Sequence, residues 1–165
     1  MFMKNKIFSR RISLLFSFMP AIAWSAIGDT FEYTAPEGVN LTFKVTSESP
    51  KTVQFGTGEK NYASIDRSYA GTIAIPTDVN GYHVTGIGAY AFYNCKSITA
   101  ITIPEDVTVI GTGSFYECEN LTSFNIPSGI SVIASSAFRY CKSLTSINIP
   151  NSVTEIESSA FSGCI

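Results

Sequence analysis

Apolar residues recur with a 23-residue period throughout the second half of the chain. Equivalent positions hold Phe92, Phe115, Phe138 and Phe161; Cys95, Cys118, Cys141 and Cys164; Pro104, Pro127 and Pro150; and Ile110, Ile133 and Ile156. A fixed period of this length is typical of repeat architectures, in which one unit cannot bury its own apolar side. Stacked units bury these sides in one continuous core, so the pattern predicts a solenoid.

Within one copy, the pattern predicts a short strand followed by a turn. Leu144, Ile147 and Ile149 give an L-x-x-I-x-I sequence whose second half alternates like a strand with one buried face. Pro150 ends the strand because proline has no N–H to donate. Residues 158–161 predict a brief helical or 3₁₀ turn whose phenyl ring plugs one end of the coil.

Two further details distinguish the copies. A second short apolar pair, Val153 and Ile156, lies between the strand and the turn of the last copy. The first copy is longer between Pro76 and Phe92 than the later ones, and its extra residues include an Asn-Gly pair within 80–84. Asn-Gly is typical of tight hairpin turns, so we expect the insertion to form a loop on the first coil.

Before the repeats, apolar and polar residues alternate and predict a small antiparallel sheet. The predicted strands are 31–34, 41–46 and 52–55, joined by turns at 36–38 and 47–51. Because an open sheet edge invites pairing with another chain, we expect these strands to cap the first coil. The predicted organisation is a leader at 1–25, capping strands at 26–70 and repeats at 71–165.

The predicted leader has the pattern of a secretory signal peptide. Residues 1–11 carry four positive charges and no negative one, and residues 12–22 are almost wholly apolar. Small residues follow, which predicts cleavage after Ala23 or Ser25. The apolar run is too short for a membrane span, which needs about 20 residues. We therefore expect an exported protein, secreted or at the cell surface, with no membrane span in the mature chain.

The charge balance argues against nucleic acid as a partner. The whole chain carries a formal net charge of −2, and without the leader seven basic residues face 13 acidic ones. Such a chain has no overall basic footprint for phosphate backbones. His83 is the one histidine, and its place in the inserted loop predicts a solvated side chain and not a catalytic base. No catalytic, cofactor-binding or metal-binding residue is predicted.

The repeat order I-P-x-x-V-x-x-I-x-x-x-A-F-x-x-C-x-x-L-x-x-I resembles the BspA-like leucine-rich repeat family over residues 71–165. This resemblance implies a right-handed leucine-rich repeat solenoid, β-rich with short helical or 3₁₀ turns, of three to four coils with the last one incomplete. It also implies a bacterial binding protein, because known members are surface proteins implicated in attachment to host matrix and to other bacteria. The expected partner is an extracellular protein or glycan.

The four cysteines allow three interpretations. Export would permit two disulfides, and four sulfur ligands could bind zinc. Equal spacing argues against both the disulfides and the zinc site. Equivalent side chains of stacked repeats point the same way, unlike those of a relaxed disulfide, and they are spread along the repeats and do not meet at one metal ion. We expect a buried ladder of free thiols that act as small apolar groups.

Two surfaces are candidate contact sites. The first has two columns of strand residues that alternate with the buried ones: Ala100, Thr102, Ser123, Asn125, Ser146 and Asn148. Leucine-rich repeat proteins generally bind through this strand face, although solvated strand residues would look the same. The second is a row near the phenyl plugs: Tyr93, Tyr116 and Tyr140. Tyrosine offers contact area with a polar end.

Alternative functions remain open in the sequence. The G-x-G-x-x-A match at 86–91 outlines a dinucleotide fingerprint, but the repeat explains it better. A secreted hydrolase would depend on His83 or on residues without a visible motif. The copy beginning at Ile147 stops at Ile165 before a full period is complete, which favours a fragment or spacer module of a larger surface protein. An open last coil would also permit self-association.

Overall fold

A computed structural model describes residues 26–60 and 64–165 as strands joined by turns. The strands are β1 (Thr30–Thr34), β2 (Asn40–Glu48), β3 (Lys51–Phe55), β4 (Gly71–Ala74), β5 (Asp78–Val79), β6 (Tyr82–Ile87), β7 (Ile98–Thr102), β8 (Val109–Ile110), β9 (Val132–Ile133) and β10 (Glu155–Ile156). The predicted leader, residues 1–25, lies outside the described residues. Within them, no helix is long and apolar enough to cross a membrane.

The amino-terminal strands form the predicted antiparallel sheet and continue into the repeats. β1 pairs antiparallel with β2, and β2 pairs antiparallel with β3. β3 then pairs with β6 in parallel, so the sheet crosses directly into the first coil. The ring of Phe55 lies 4.7 Å from that of Phe92, which joins the two apolar interiors as well. The cap and the repeats therefore share one core.

The inserted loop of the first coil is the tight hairpin that Asn80-Gly81 predicts. β5 and β6 pair antiparallel, with Asp78 opposite His83 and Val79 opposite Tyr82. Asn80 and Gly81 both have positive φ, 51° and 79°. A two-residue turn of this kind matches the twist of the strands that it joins.

Successive repeats stack through short parallel pairings. β4 pairs with β7, and this ladder continues as single bridges from Ala100 to Ser123 and from Asn125 to Asn148. A second ladder includes β6 with β8 and β9 with β10. In the later copies the first ladder consists of single bridges in place of the longer strands that the alternation predicts.

The predicted helical or 3₁₀ turns are consecutive β-turns; the described residues contain no helix. Two columns of residues with positive φ explain this difference: Tyr90, Gly113, Ser136 and Ser159; and Asn94, Glu117, Tyr140 and Gly163. A helix needs negative φ at every residue, so it cannot pass these positions. Their alternation with right-handed residues instead directs backbone groups towards the next repeat, as in the bond from Phe115 N–H to the Ala137 carbonyl at 2.8 Å.

The core of the repeats is a stack of phenyl rings beside a ladder of thiols. Neighbouring centroids of Phe92, Phe115, Phe138 and Phe161 lie 5.3, 5.0 and 5.4 Å apart, with interplanar angles of 14° or less. All four cysteines are free, as predicted; Cys95, Cys118 and Cys141 are buried, whereas Cys164 in the last copy is partly exposed. Cys118 donates to the Phe92 carbonyl at 3.2 Å, and Cys141 and Cys164 make the same bond one and two repeats later. Each of these three thiols thus links a turn to the repeat before it.

Candidate binding surface

The polar columns of the strand face are aligned and largely exposed. Thr102, Asn125 and Asn148 form one column, and Ala100, Ser123 and Ser146 form the other. Only Ala100 among these six is partly buried. Asn125 donates to the Glu105 carboxylate at 3.1 Å. The columns present small uncharged groups to solvent and no large side chain.

The predicted tyrosine row is continuous and longer than expected. The ring centroids of Tyr93 and Tyr116 are 5.5 Å apart, and those of Tyr116 and Tyr140 are 5.6 Å apart. Tyr90 extends the row at the other end, 6.1 Å from Tyr93. All four side chains are half-buried, so each keeps part of its ring at the surface.

Glycines one period later make room for the rings at both ends of the row. A Cβ at Gly113 would lie 2.5 Å from Cε1 of Tyr90, and a Cβ at Gly163 would lie 2.3 Å from Cδ1 of Tyr140. Tyr90 and Tyr140 themselves occupy backbone positions with positive φ. The glycine that lies one period after Tyr90 could therefore have indicated from the sequence that Tyr90 belongs to the row. The pattern of phenyl plugs does not reveal this.

Arg139 occupies the position equivalent to Tyr93 and Tyr116, one period after the latter. Its guanidinium carbon lies 4.9 Å from the ring centre of Tyr140 and 5.8 Å from that of Tyr116. Nη2 donates to the Tyr140 hydroxyl at 3.1 Å. Arg139 therefore fills the gap that the one-residue shift of Tyr140 leaves in the row.

Two further cations reach the row from the segment before the repeats. Lys60 Nζ lies 5.1 Å from the ring centre of Tyr93 and 5.6 Å from that of Tyr90, and the Arg67 guanidinium carbon lies 5.4 Å from Tyr93. We call the assembly the tyrosine–cation surface; it consists of Tyr90, Tyr93, Tyr116, Tyr140, Lys60, Arg67 and Arg139. Cations over ring faces are attracted by about 0.5–1 kcal/mol each at exposed sites. Sequence patterns cannot reveal Lys60 and Arg67, since neither belongs to the period.

An open depression of about 220 Å³ adjoins this surface at Tyr140. Its other lining residues are Lys96, Glu117, Glu119 and Lys142. Glu119 pairs with Lys96 at 2.8 Å and with Lys142 at 2.9 Å, and these two bonds hold the pKa of its carboxyl below the ordinary value. The charges in the depression are thus mutually compensated.

His83, on the hairpin, lies between two carboxylates, and its side chain is 36% exposed, in line with the expected solvated loop position. Nδ1 lies 2.9 Å from Asp78 Oδ1, and Nε2 lies 3.2 Å from Asp106 Oδ2. Bonding to Asp78 first, and then to Asp106, raises the pKa of the imidazole. Asp106 lies one period after His83, so the repeat pattern could have predicted that the two side chains are neighbours. The described residues contain no group of acidic, histidine or cysteine side chains suited to a metal ion.

Comparisons with known proteins agree with the repeat pattern. A model of the "BspA type Leucine rich repeat region" matches residues 66–165 in six copies. A leucine-rich repeat protein from Bacteroides ovatus ATCC 8483 is 29% identical with a TM-score of 0.62, over 75% of this chain and 32% of that one. The T. pallidum leucine-rich repeat protein TpLRR is 21% identical with a TM-score of 0.59, over 74% of this chain and 64% of that one. The chain thus spans about a third of the first protein and under two thirds of the second. No curated protein matches the sequence.

Proposed function

Because the chain belongs to the BspA-type leucine-rich repeat family, we propose that it is a binding protein, exported by a bacterium, that recognises an extracellular protein or glycan. Adhesion to a host or to a neighbouring cell is the biological role that fits this activity. The amino-terminal pattern of residues 1–25 supports export. The parallel ladders support a right-handed solenoid as the frame that carries the binding surface.

The observation that carries this proposal is the tyrosine–cation surface. Tyrosine and arginine are enriched among the residues that dominate binding energy, whereas serine and threonine are under-represented. The row supplies four partly exposed rings and three cations, while the polar columns supply only small groups. We therefore place the contact surface on the tyrosine row and keep the strand face, which the sequence favoured first, as the second candidate.

A catalytic role fits the described residues less well. A general base must accept a proton from a nucleophile within hydrogen-bond reach. Both ring nitrogens of His83 already lie against carboxylates, those of Asp78 and Asp106. The imidazole is therefore arranged to hold the hairpin to the next repeat and not to activate a hydroxyl group.

Self-association remains a proposal of its own. Ile149 and Ile156 are 40% and 51% exposed, whereas their equivalents one period earlier, Ile126 and Ile133, are buried. A further repeat or a second copy of the chain would cover these side chains in the same way as the repeats cover one another. Sedimentation of the purified chain at increasing concentration would separate a monomer from a self-associating species.

Binding to a panel of extracellular-matrix proteins and glycans tests the proposed function. We expect the Tyr93→Ser/Tyr116→Ser variant to lose about tenfold or more in affinity for any partner of the wild type, because it removes the two central rings. The Thr102→Ala/Asn125→Ala/Asn148→Ala variant is the matched change on the strand face and should bind normally. Loss in the second variant alone would move the contact surface to the polar columns. A wild-type chain that binds no member of the panel would contradict the proposal.

A further inference from the structure

The basic residues of this acidic chain are unevenly distributed. Five of the seven that follow residue 25 lie on the tyrosine–cation surface or in the depression beside it: Lys60, Arg67, Lys96, Arg139 and Lys142. The chain beyond the leader carries 13 acidic residues, of which Glu117 and Glu119 line the same depression. One side of the repeats is therefore much more positive than the chain as a whole.

The cations of this side divide into two groups. Lys96 and Lys142 are neutralised by Glu119. Lys60, Arg67 and Arg139 form no ion pair with any carboxylate of residues 26–60 and 64–165. These three cations are held by tyrosine rings. Lys60 and Arg67 keep their N–H groups able to donate to an incoming anion. Arg139 has one N–H bonded to Tyr140 and a buried Nε, and can offer only its remaining N–H groups.

Resting on the proposed function, we infer that the ligand of the tyrosine–cation surface is an anionic polysaccharide with carboxylate or sulfate groups. Lys60 lies over the rings of Tyr90, Tyr93 and Tyr116, and Arg67 lies over Tyr93. Arg139 lies over Tyr116 and Tyr140. The three charges thus follow the row of rings along the stacked repeats. A linear polysaccharide that carries carboxylate or sulfate groups can lie along this row, and the phenol hydroxyls can bond its sugar hydroxyls.

The same geometry argues against single-stranded nucleic acid. Bases bind by stacking on open faces of aromatic rings. Two cations already lie over Tyr93, and Arg139 lies over both Tyr116 and Tyr140. The rings therefore serve to hold the cations, and their faces are not open for bases to stack on.

Binding of the full chain to immobilised hyaluronan and chondroitin sulfate tests the inference, with dextran, polyglutamate and oligothymidylate as competitors. We expect binding that weakens steeply as sodium chloride is raised, because exposed charges are screened. The Lys60→Gln/Arg139→Gln variant should lose about tenfold or more in affinity. Lys44→Gln/Lys51→Gln removes the two basic residues outside this surface and is the matched control, which should bind like the wild type.

Several results would overturn the inference. If both glutamine variants lost affinity equally, the loss would reflect only the overall charge of the chain. Full competition by dextran, polyglutamate or oligothymidylate would contradict an anionic polysaccharide as the ligand. Salt dependence of the wild type is a measurement that does not depend on the folding of a variant. If neither polysaccharide binds but a matrix protein binds through Tyr93 and Tyr116, the inference fails while the proposed function stands. If nothing binds, both fail.

Discussion

The polar columns and the tyrosine–cation surface lie on the same repeats but follow the period of the sequence differently. In the columns, Thr102, Asn125 and Asn148 keep to small polar side chains at strictly equivalent positions. On the other surface, Arg139 replaces the tyrosine of the preceding repeat, and the next tyrosine is shifted by one residue to Tyr140. The regular positions maintain the stacking of the backbone, and the irregular positions create contacts that are specific to this chain.

Other equivalent positions also carry different side chains in successive repeats and form contacts through them. Lys96, Glu119 and Lys142 alternate in charge along one column and form two ion pairs. His83 and Asp106 are likewise one period apart and contact each other. A repeat that placed the same charge at each of these positions would repel itself across the stack. Departures from the repeat are therefore the places to look for function in a protein of this architecture.

The largest expected effect comes from the core that both surfaces share. Phe115→Ala removes a fully buried ring from the middle of the phenyl stack and should lower the free energy of unfolding by about 3–5 kcal/mol. Urea denaturation measures this loss. Thr102→Ala on the exposed strand face is the control and should change the free energy by less than about 0.5 kcal/mol. If Phe115→Ala were as stable as Thr102→Ala, the stacked phenyl rings would not form the core that both surfaces share.

A smaller effect is expected at the support of the tyrosine row. Gly113→Ala introduces a Cβ 2.5 Å from the Tyr90 ring at a backbone φ of +59°. We expect a loss of roughly 1–2 kcal/mol in the free energy of unfolding and a change in the near-ultraviolet circular dichroism of the tyrosines. Gly86→Ala, whose Cβ meets only ordinary contacts of 3.5 Å or more, should change neither measurement. An unchanged spectrum of the Gly113 variant would show that Tyr90 does not pack there.

The smallest effect is expected at the hairpin of the first coil. The pKa of His83 is raised in the folded chain above its ordinary value of 6.5, so protonation favours the folded state. This stabilisation is fully present below the unfolded pKa and is lost as the pH rises through the folded pKa. The free energy of unfolding of the wild type, relative to His83→Gln, should fall over that interval. A difference between the two proteins that does not vary with pH would exclude the Asp78 and Asp106 contacts.

The parts of the fold that the period fixes were predictable from the sequence. Equivalent residues of successive copies identified the phenyl stack and the thiol ladder, and the Asn80-Gly81 pair identified the hairpin. The ladder through β8, β9 and β10 was missed, because strands of two residues are too short to show alternation. The helical turns were wrongly expected, since positive φ at Tyr90 and Ser136 has no clear compositional signature.

Only part of the candidate site could be predicted from the sequence, because some of its residues do not follow the period. Tyr93, Tyr116 and Tyr140 were predicted as a row, whereas Lys60 and Arg67 come from a segment that lies outside the period. Contacts between a periodic and an aperiodic segment depend on how the cap sheet sits on the first coil. That arrangement follows from the pairing of β3 with β6, which joins segments far apart in the chain and leaves no local pattern.

The thiol ladder has a consequence for the reactivity of the folded protein. Burial raises the pKa of Cys95 and of Cys141 to about 12. Since only the thiolate attacks disulfides and oxidants, a reactive form present in about one molecule in 10⁵ at neutral pH makes these side chains nearly inert. In the folded repeats these two thiols therefore resist oxidation and disulfide exchange, and the stacking of the turns does not depend on a covalent bond that reduction could break.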